Sequence, residues 1–164
     1  MERGGFGLAA GRAGPAEDRP RRRGARMRRM DATELRTWGL RQAGAIEDFP
    51  FGPEVSVFKV ARKMFALSAL GRRPLEVSVK SEPGLAVSLR QSYPAIRPGY
   101  HLNKRHWNTI TLDGSLPDQL VRDLIEDSYD LVVSALPRRV RDQLGWAPGA
   151  DVDAPVERRS ELSD

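Results

Sequence analysis

Residues Leu75-Glu-Val-Ser-Val-Lys80 alternate without a break, with Leu75, Val77 and Val79 on one side and Glu76, Ser78 and Lys80 on the other. Successive side chains of an extended chain point to opposite faces, so a period of two predicts a strand buried on one face and solvated on the other. That is the pattern of an antiparallel sheet covered on one side only. Two further extended runs precede it, Val55-Ser-Val-Phe-Lys-Val60 and Met64-Phe-Ala-Leu-Ser-Ala69. They stand close enough around Ala61-Arg62-Lys63 to form a hairpin. The turn lacks the Gly or Asn that tight hairpin turns favour, which leaves its type open.

Helical signals flank this block. Asp31-Ala-Thr-Glu34 has the spacing of a capping box, and Ala32, Leu35, Gly39 and Ala43 continue at helical spacing until Gly44. Ile46 to Pro53 is a short extended stretch closed by turn residues. After the alternating strand, Ser81-Glu-Pro83 opens a short helix that must fail before Pro94, and Trp107-Asn-Thr-Ile-Thr-Leu112 alternates as another strand. Asp113-Gly114 turns the chain, and Ser115-Leu-Pro-Asp118 is expected to cap a long helix. Its apolar stripe runs from Leu116 through Leu120, Leu124 and Ile125 to Leu136 before Pro137 interrupts it, with another turn or two expected beyond. The order predicts an α+β fold, a two-layer sandwich of an antiparallel β-sheet with helices packed on one face.

At 164 residues the chain accommodates one domain with a core, expected over 30–144. It contains no cysteine, which excludes disulfides and thiolate metal sites. No apolar run approaches the roughly 18 residues a membrane span requires, so a cytoplasmic location is expected. The formal net charge of +5 is unevenly spread. Residues 1–29 hold nine Arg against three acids, whereas 145–164 hold five acids against Arg158 and Arg159. Between them, 16 basic and 14 acidic side chains leave the domain at only +2. Residues 1–29 carry no apolar periodicity and are expected to be unstructured. They read either as a basic arm or as an N-terminal overextension, since Met30 directly precedes a helix start. The Pro- and Asp-rich 145–164 are expected to be unstructured as well.

No chemistry of a familiar enzyme class stands out. There is no Gly-x-Ser-x-Gly elbow, no Gly-rich nucleotide loop and no metal-ligand spacing around His101 and His106. The adjacent carboxylates Glu47-Asp48 and Glu126-Asp127 diverge on either a strand or a helix, so neither pair forms a catalytic dyad. The segment from Tyr93 to Gly114 is different, because it gathers Arg97, His101, Asn103, Lys104, Arg105, His106, Trp107 and Asn108. Lys and Arg offer point and forked charges to phosphates, Asn and His hydrogen-bond to phosphates or base edges, and aromatic rings stack on bases. The competing reading makes Tyr100 and Trp107 structural anchors and the Lys104-Arg105 pair a solvated loop tip.

Asp48-Phe-Pro-Phe-Gly-Pro53, Val57-Phe-Lys-Val60 with Lys63-Met-Phe-Ala66, Tyr93-Pro94, Arg97-Pro-Gly-Tyr-His-Leu-Asn-Lys-Arg-His-Trp-Asn108 and Ser128-Tyr-Asp-Leu-Val132 together resemble the MmcQ/YjbR family. The resemblance covers about residues 31–141. It implies a CyaY/frataxin-like α+β sandwich that binds DNA through a double wing of loops and hairpins. By resemblance, Asn103, Lys104, Arg105, His106 and Trp107 fall on one wing, and Arg62 and Lys63 on the hairpin tip. Ala61-Arg62 replaces the family's Gly-rich turn there. The frataxin likeness also raises iron binding, but Asp31, Glu34, Glu47 and Asp48 are interrupted by Arg36 and Arg41, so no metal or cofactor is expected. The leading expectation is a non-catalytic protein that contacts the phosphate backbone of duplex DNA, with no membrane role. The alternative is a protein- or small-ligand-binding module that uses the exposed sheet face. One chain leaves the oligomeric state open, with a monomer as the working expectation.

Overall fold

The computed structural model describes residues 28–147. The expectations for 1–27 and 148–164 lie outside the described residues. In chain order the elements are α1 (Ala32–Arg41), β1 (Ile46–Asp48), β2 (Ser56–Val60), β3 (Lys63–Ser68), β4 (Glu76–Lys80), α2 (Pro83–Ser92), β5 (Ile96–Pro98), β6 (Trp107–Thr111), α3 (Asp118–Ser134) and α4 (Arg138–Gln143). The strands form one open sheet in the order β1-β2-β3-β4-β6-β5, and every neighbouring pair is antiparallel. Among the described residues no helix is long and apolar enough to cross a membrane.

The local signals account for most of these elements. Asp31 Oδ1 accepts from the Glu34 amide at 2.8 Å while Glu34 Oε2 accepts from the Asp31 amide at 3.0 Å, so the capping box is closed in both directions. Pro83 occupies the first turn of α2, where its missing N–H costs no hydrogen bond. The β2–β3 turn is made by Ala61 and Arg62 at φ 46° and 67°. Two consecutive left-handed residues are what a primed hairpin turn requires. They are reached here without glycine, at about 1 kcal/mol or more per residue.

The buried strand faces pack Phe58, Val60, Phe65, Val77, Val79 and Ile110 into a single core with the helices. Phe65 meets the edge of Tyr129 from α3 at 5.4 Å, and the Tyr129 hydroxyl donates to the Ala43 carbonyl at 2.7 Å. One helix thereby holds both the sheet and the α1–β1 connection. Ser128, fully buried on α3, bridges two strands: its Oγ donates to the Phe65 carbonyl at 2.5 Å and accepts from the Lys80 amide at 2.8 Å.

Four features depart from expectation. The 115–118 stretch does not cap α3 through Ser115, because the N-cap is Pro117 and no side chain caps it. Asp118 instead accepts from the Met30 amide at 3.0 Å, tying the first described residues to α3. Trp146 was expected to lie in an unstructured stretch, but it packs on the core and donates from its indole to Asp130 at 2.8 Å. Strand β5 had no period to announce it, since three residues ending in proline are too few. Finally, the sheet face away from the helices is not uniformly solvated, as Ser78 retains 8% of its accessible surface and Thr109 3%.

Replacing Ser128 with Ala leaves the Lys80 amide and the Phe65 carbonyl without this partner, at a cost of about 1–3 kcal/mol. The expected outcome is a lower urea midpoint with an unchanged m-value.

Candidate nucleic-acid interface

Strand register decides which loops meet. Val60 pairs with Lys63 at the β2–β3 turn, Ala66 with Val79, and Lys80 with Trp107. In an antiparallel ladder β3 therefore begins where β4 ends, and β4 ends where β6 begins. The hairpin tip, the end of β4 and the loop leading into β6 share one end of the sheet. Arg62, Lys63, Lys80, Lys104 and Arg105 stand there together. Arg90, from the last turn of α2, joins them by donating to the Lys104 carbonyl at 2.8 Å.

The 99–106 loop is built around backbone hydrogen bonds. The Gly99 amide donates to the Trp107 carbonyl at 2.8 Å, and the amides of His106 and Trp107 both donate to the Asn103 carbonyl, at 3.1 and 2.9 Å. Asn103 Oδ1 accepts from the Arg105 amide at 3.0 Å, and the His106 carbonyl accepts from the Ser81 amide at 2.7 Å. His101 sits at φ 55°. A Cβ on Gly99 would lie 2.9 Å from the Trp107 Cβ and 3.2 Å from the Leu102 Cβ, so only glycine lets the loop close over the Trp107 side chain. The turn residues thus hold the loop, and the side chains of Lys104 and Arg105 are left exposed.

The candidate residues divide accordingly. Arg62, Lys63, Lys104 and Arg105 are exposed at the sheet end. Trp107 is buried at 8% exposure and supports the loop, and Asn103 uses its side-chain oxygen on the backbone. Half-buried His106 contributes chiefly its backbone. Arg97 is drawn away from the sheet end, because β5 sets it opposite Thr109 and its guanidinium pairs with Glu76 at 2.6 Å. Asn108 faces the core, donating to the Ala86 carbonyl at 3.1 Å. Tyr100 is not an anchor: it is 72% exposed, with its ring 3.9 Å from that of His101. Lys80 and Arg90 carried no local signal for this site, since a strand-end Lys and a helix-end Arg are ordinary in sequence. Only register and the α2 contact bring them in.

Ion pairing occupies several of the cations outside this cluster. Lys59 pairs with Asp48 and Arg36 with Glu47, each at 2.6 Å, and Arg72 pairs with Glu54 at 3.6 Å. Among the described residues Arg62, Lys63, Lys80, Arg90, Lys104 and Arg105 have no ion-pair partner. The hydrogen bond from Lys59 and that from the Phe49 amide hold the Asp48 carboxyl below its ordinary value. The four carboxylates weighed for iron do not converge, because Asp31 and Glu34 cap α1 while Glu47 and Asp48 are taken by Arg36 and Lys59. No cluster of three metal-ligating side chains occurs among the described residues. On α3, burial raises the Glu126 pKa above its ordinary value, and Asp123, Asp130 and Asp127 add to the shift.

An open antiparallel sheet with helices on one face and a basic cluster of loops at one end defines the class of protein. Residues 40–131 match the YjbR family model, and the chain belongs to the MmcQ/YjbR family. It is 38% identical over 116 residues to the uncharacterized protein YjbR of Escherichia coli K12, covering 70% of this chain and 98% of that one. The uncharacterized protein YbdF of Escherichia coli O157:H7 is 44% identical over 101 residues, 62% of this chain and 81% of that one. A crystal structure of a Deinococcus radiodurans protein with a DUF419 domain superposes with a TM-score of 0.68 at 39% identity, covering 72% of this chain and 90% of that one. A Pseudomonas syringae protein superposes at 0.56 with 32% identity, over 62% and 98%.

Two outcomes follow from this geometry. Gly99→Ala forces a methyl group against Trp107 and Leu102, and should cost about 1–3 kcal/mol, read as a lower denaturation midpoint by tryptophan fluorescence. Glu126 holds its proton to higher pH in the folded chain than in the unfolded one. Its ionisation therefore opposes folding, and this contribution to stability falls as pH rises from the ordinary carboxylate value through the folded one. Glu126→Gln should raise the melting temperature at pH 7, and the gain should vanish near pH 3, where both states are protonated.

Proposed function

We propose that this protein binds duplex DNA by gripping phosphates with the basic end of its sheet, and that it catalyses no reaction there. The observation that carries the reading is the convergence of two separate loops on one sheet end. Arg62 and Lys63 come from the hairpin tip and Lys104 and Arg105 from the 99–106 loop, with no carboxylate paired to any of them among the described residues. Ion-paired cations gain little from a phosphate, since one partner must be exchanged for another. Unpaired ones retain their full charge for it. Two projections from one edge also suit a duplex, whose phosphates line both sides of a groove.

Among the basic side chains, Arg62 and Arg105 supply forks for bidentate phosphate contacts, while Lys63, Lys80 and Lys104 act as point charges. The loop backbone is already held by Asn103, Gly99 and Trp107, so little ordering remains to be done on binding. With residues 30–144 at a formal net charge of only +2, the interaction is weak and salt-sensitive. Three or four phosphates at this end contribute a slope of roughly −3 to −4 in log K against log salt. A second reading, a small-ligand or protein-binding module, draws on a groove in the sheet face.

The test is fluorescence anisotropy of a labelled duplex titrated with the full chain at several salt concentrations. Lys104→Ala/Arg105→Ala should weaken binding across unrelated sequences and make the slope shallower by about 2. Equal affinity and equal slope in the double variant remove the sheet end from the binding surface.

A further inference from the structure

The sheet face away from the helices contains a groove of about 280 Å³ that lies apart from the six cations of the sheet end. Its floor consists of Leu67, Ser78 and Thr109, which register sets side by side across β3, β4 and β6. Tyr100 lines one side, and the β3–β4 connection with Arg72, Arg73 and Pro74 lines the other. The groove is near the lower limit of small-ligand pockets, about 300 Å³, and suits one flat ring system better than a run of residues.

Its chemistry is specific. Ser78 Oγ and Thr109 Oγ1 share one hydrogen bond at 2.8 Å, which uses one of their two hydroxyl protons. The other proton has no acceptor among the described residues, so the floor offers a polar edge one further hydrogen bond. Tyr100 presents an exposed aromatic face beside it. On the rim, Arg73 is held by donating to the carbonyls of Leu70 and Arg72, at 3.1 and 2.7 Å, and has no carboxylate partner among the described residues. Glu76, the acid in the groove, is engaged by Arg97. A stacking face, a polar edge contact and an arginine rim match a nucleobase and its phosphate. Tyr100 also belongs to the loop that carries Lys104 and Arg105, so one loop contributes to both surfaces.

We propose that this groove takes one unpaired base of a nucleic-acid strand, stacked on Tyr100, with the adjoining phosphate at Arg73. The assignment rests on the nucleic-acid reading of the sheet end. A base inside a duplex has both faces stacked and cannot reach the groove, so single-stranded and duplex binding separate the two proposals.

The experiment titrates the full chain, as wild type, Tyr100→Ala, Tyr100→Phe and Lys104→Ala/Arg105→Ala, against a labelled 12-mer of deoxythymidine and against a duplex. Tyr100 is exposed, so its variants should melt like the wild type. Tyr100→Ala should weaken single-strand binding about tenfold while changing duplex binding less than twofold, and Tyr100→Phe should retain both. Single-strand affinity unchanged in Tyr100→Ala overturns the groove assignment. If the Lys104→Ala/Arg105→Ala change still weakens duplex binding, the sheet-end reading survives that result. If that double change alters neither affinity, the sheet-end reading fails and the groove assignment falls with it. Thymidine monophosphate serves as a further probe: if it binds the wild type but not Tyr100→Ala, while the 12-mer is indifferent to Tyr100, the groove holds free nucleotides rather than a strand.

Discussion

The pairing of β4 with β6 is the constraint from which the rest of the arrangement follows. Five residue pairs, from Glu76 with Thr111 to Lys80 with Trp107, join the β1–β4 meander to a strand that comes after a helix. This ladder sets Val77 beside Ile110 on the core side and Ser78 beside Thr109 on the other. Because side chains alternate strictly along a strand, a slip of one residue would put Ile110 on the uncovered face and Thr109 in the core. It would also carry the Lys104-Arg105 tip away from the hairpin tip. Burial of the apolar face and placement of the basic end are therefore two results of one register.

Ser128 makes that register depend on α3 as well. Strands β3 and β4 pair at Ala66–Val79 and Leu67–Ser78, and beyond these pairs the Phe65 carbonyl and the Lys80 amide both turn to the Ser128 hydroxyl. One buried side chain thus closes the sheet end that carries the cations. The same region separates holding from touching. Gly99, Asn103 and Trp107 spend their interactions on the loop itself, so Lys104 and Arg105 need no fixed partners to stay where they are. Arg97, close in sequence, is spent on Glu76. Proximity along the chain is a poor guide to which cation is free.

The uncovered sheet face adds a second surface. Tyr100 is exposed because the loop bends at His101, in a left-handed conformation, and turns Trp107 rather than Tyr100 into the supporting ring. Its exposure therefore comes with the loop's geometry.

Much of the fold was legible locally. The period of two in 75–80, the capping box at Asp31 and the apolar stripe of α3 each rest on interactions within a few residues, and the structure contains all three. Trp146 and β5 were not legible, because one rests on a distant Asp130 and the other on a three-residue partner of β6. Of the candidate site, the sequence by itself determined the inventory: cations, histidines and rings gathered between Arg97 and Trp107, and a basic pair at the hairpin. Only the tertiary structure decided which of these are free, which are ion-paired and which are buried, and only it added Lys80 and Arg90. The reason is physical. Charge and periodicity belong to residues one at a time or to near neighbours, whereas ion pairing, burial and the meeting of two loops depend on register between strands far apart in the chain.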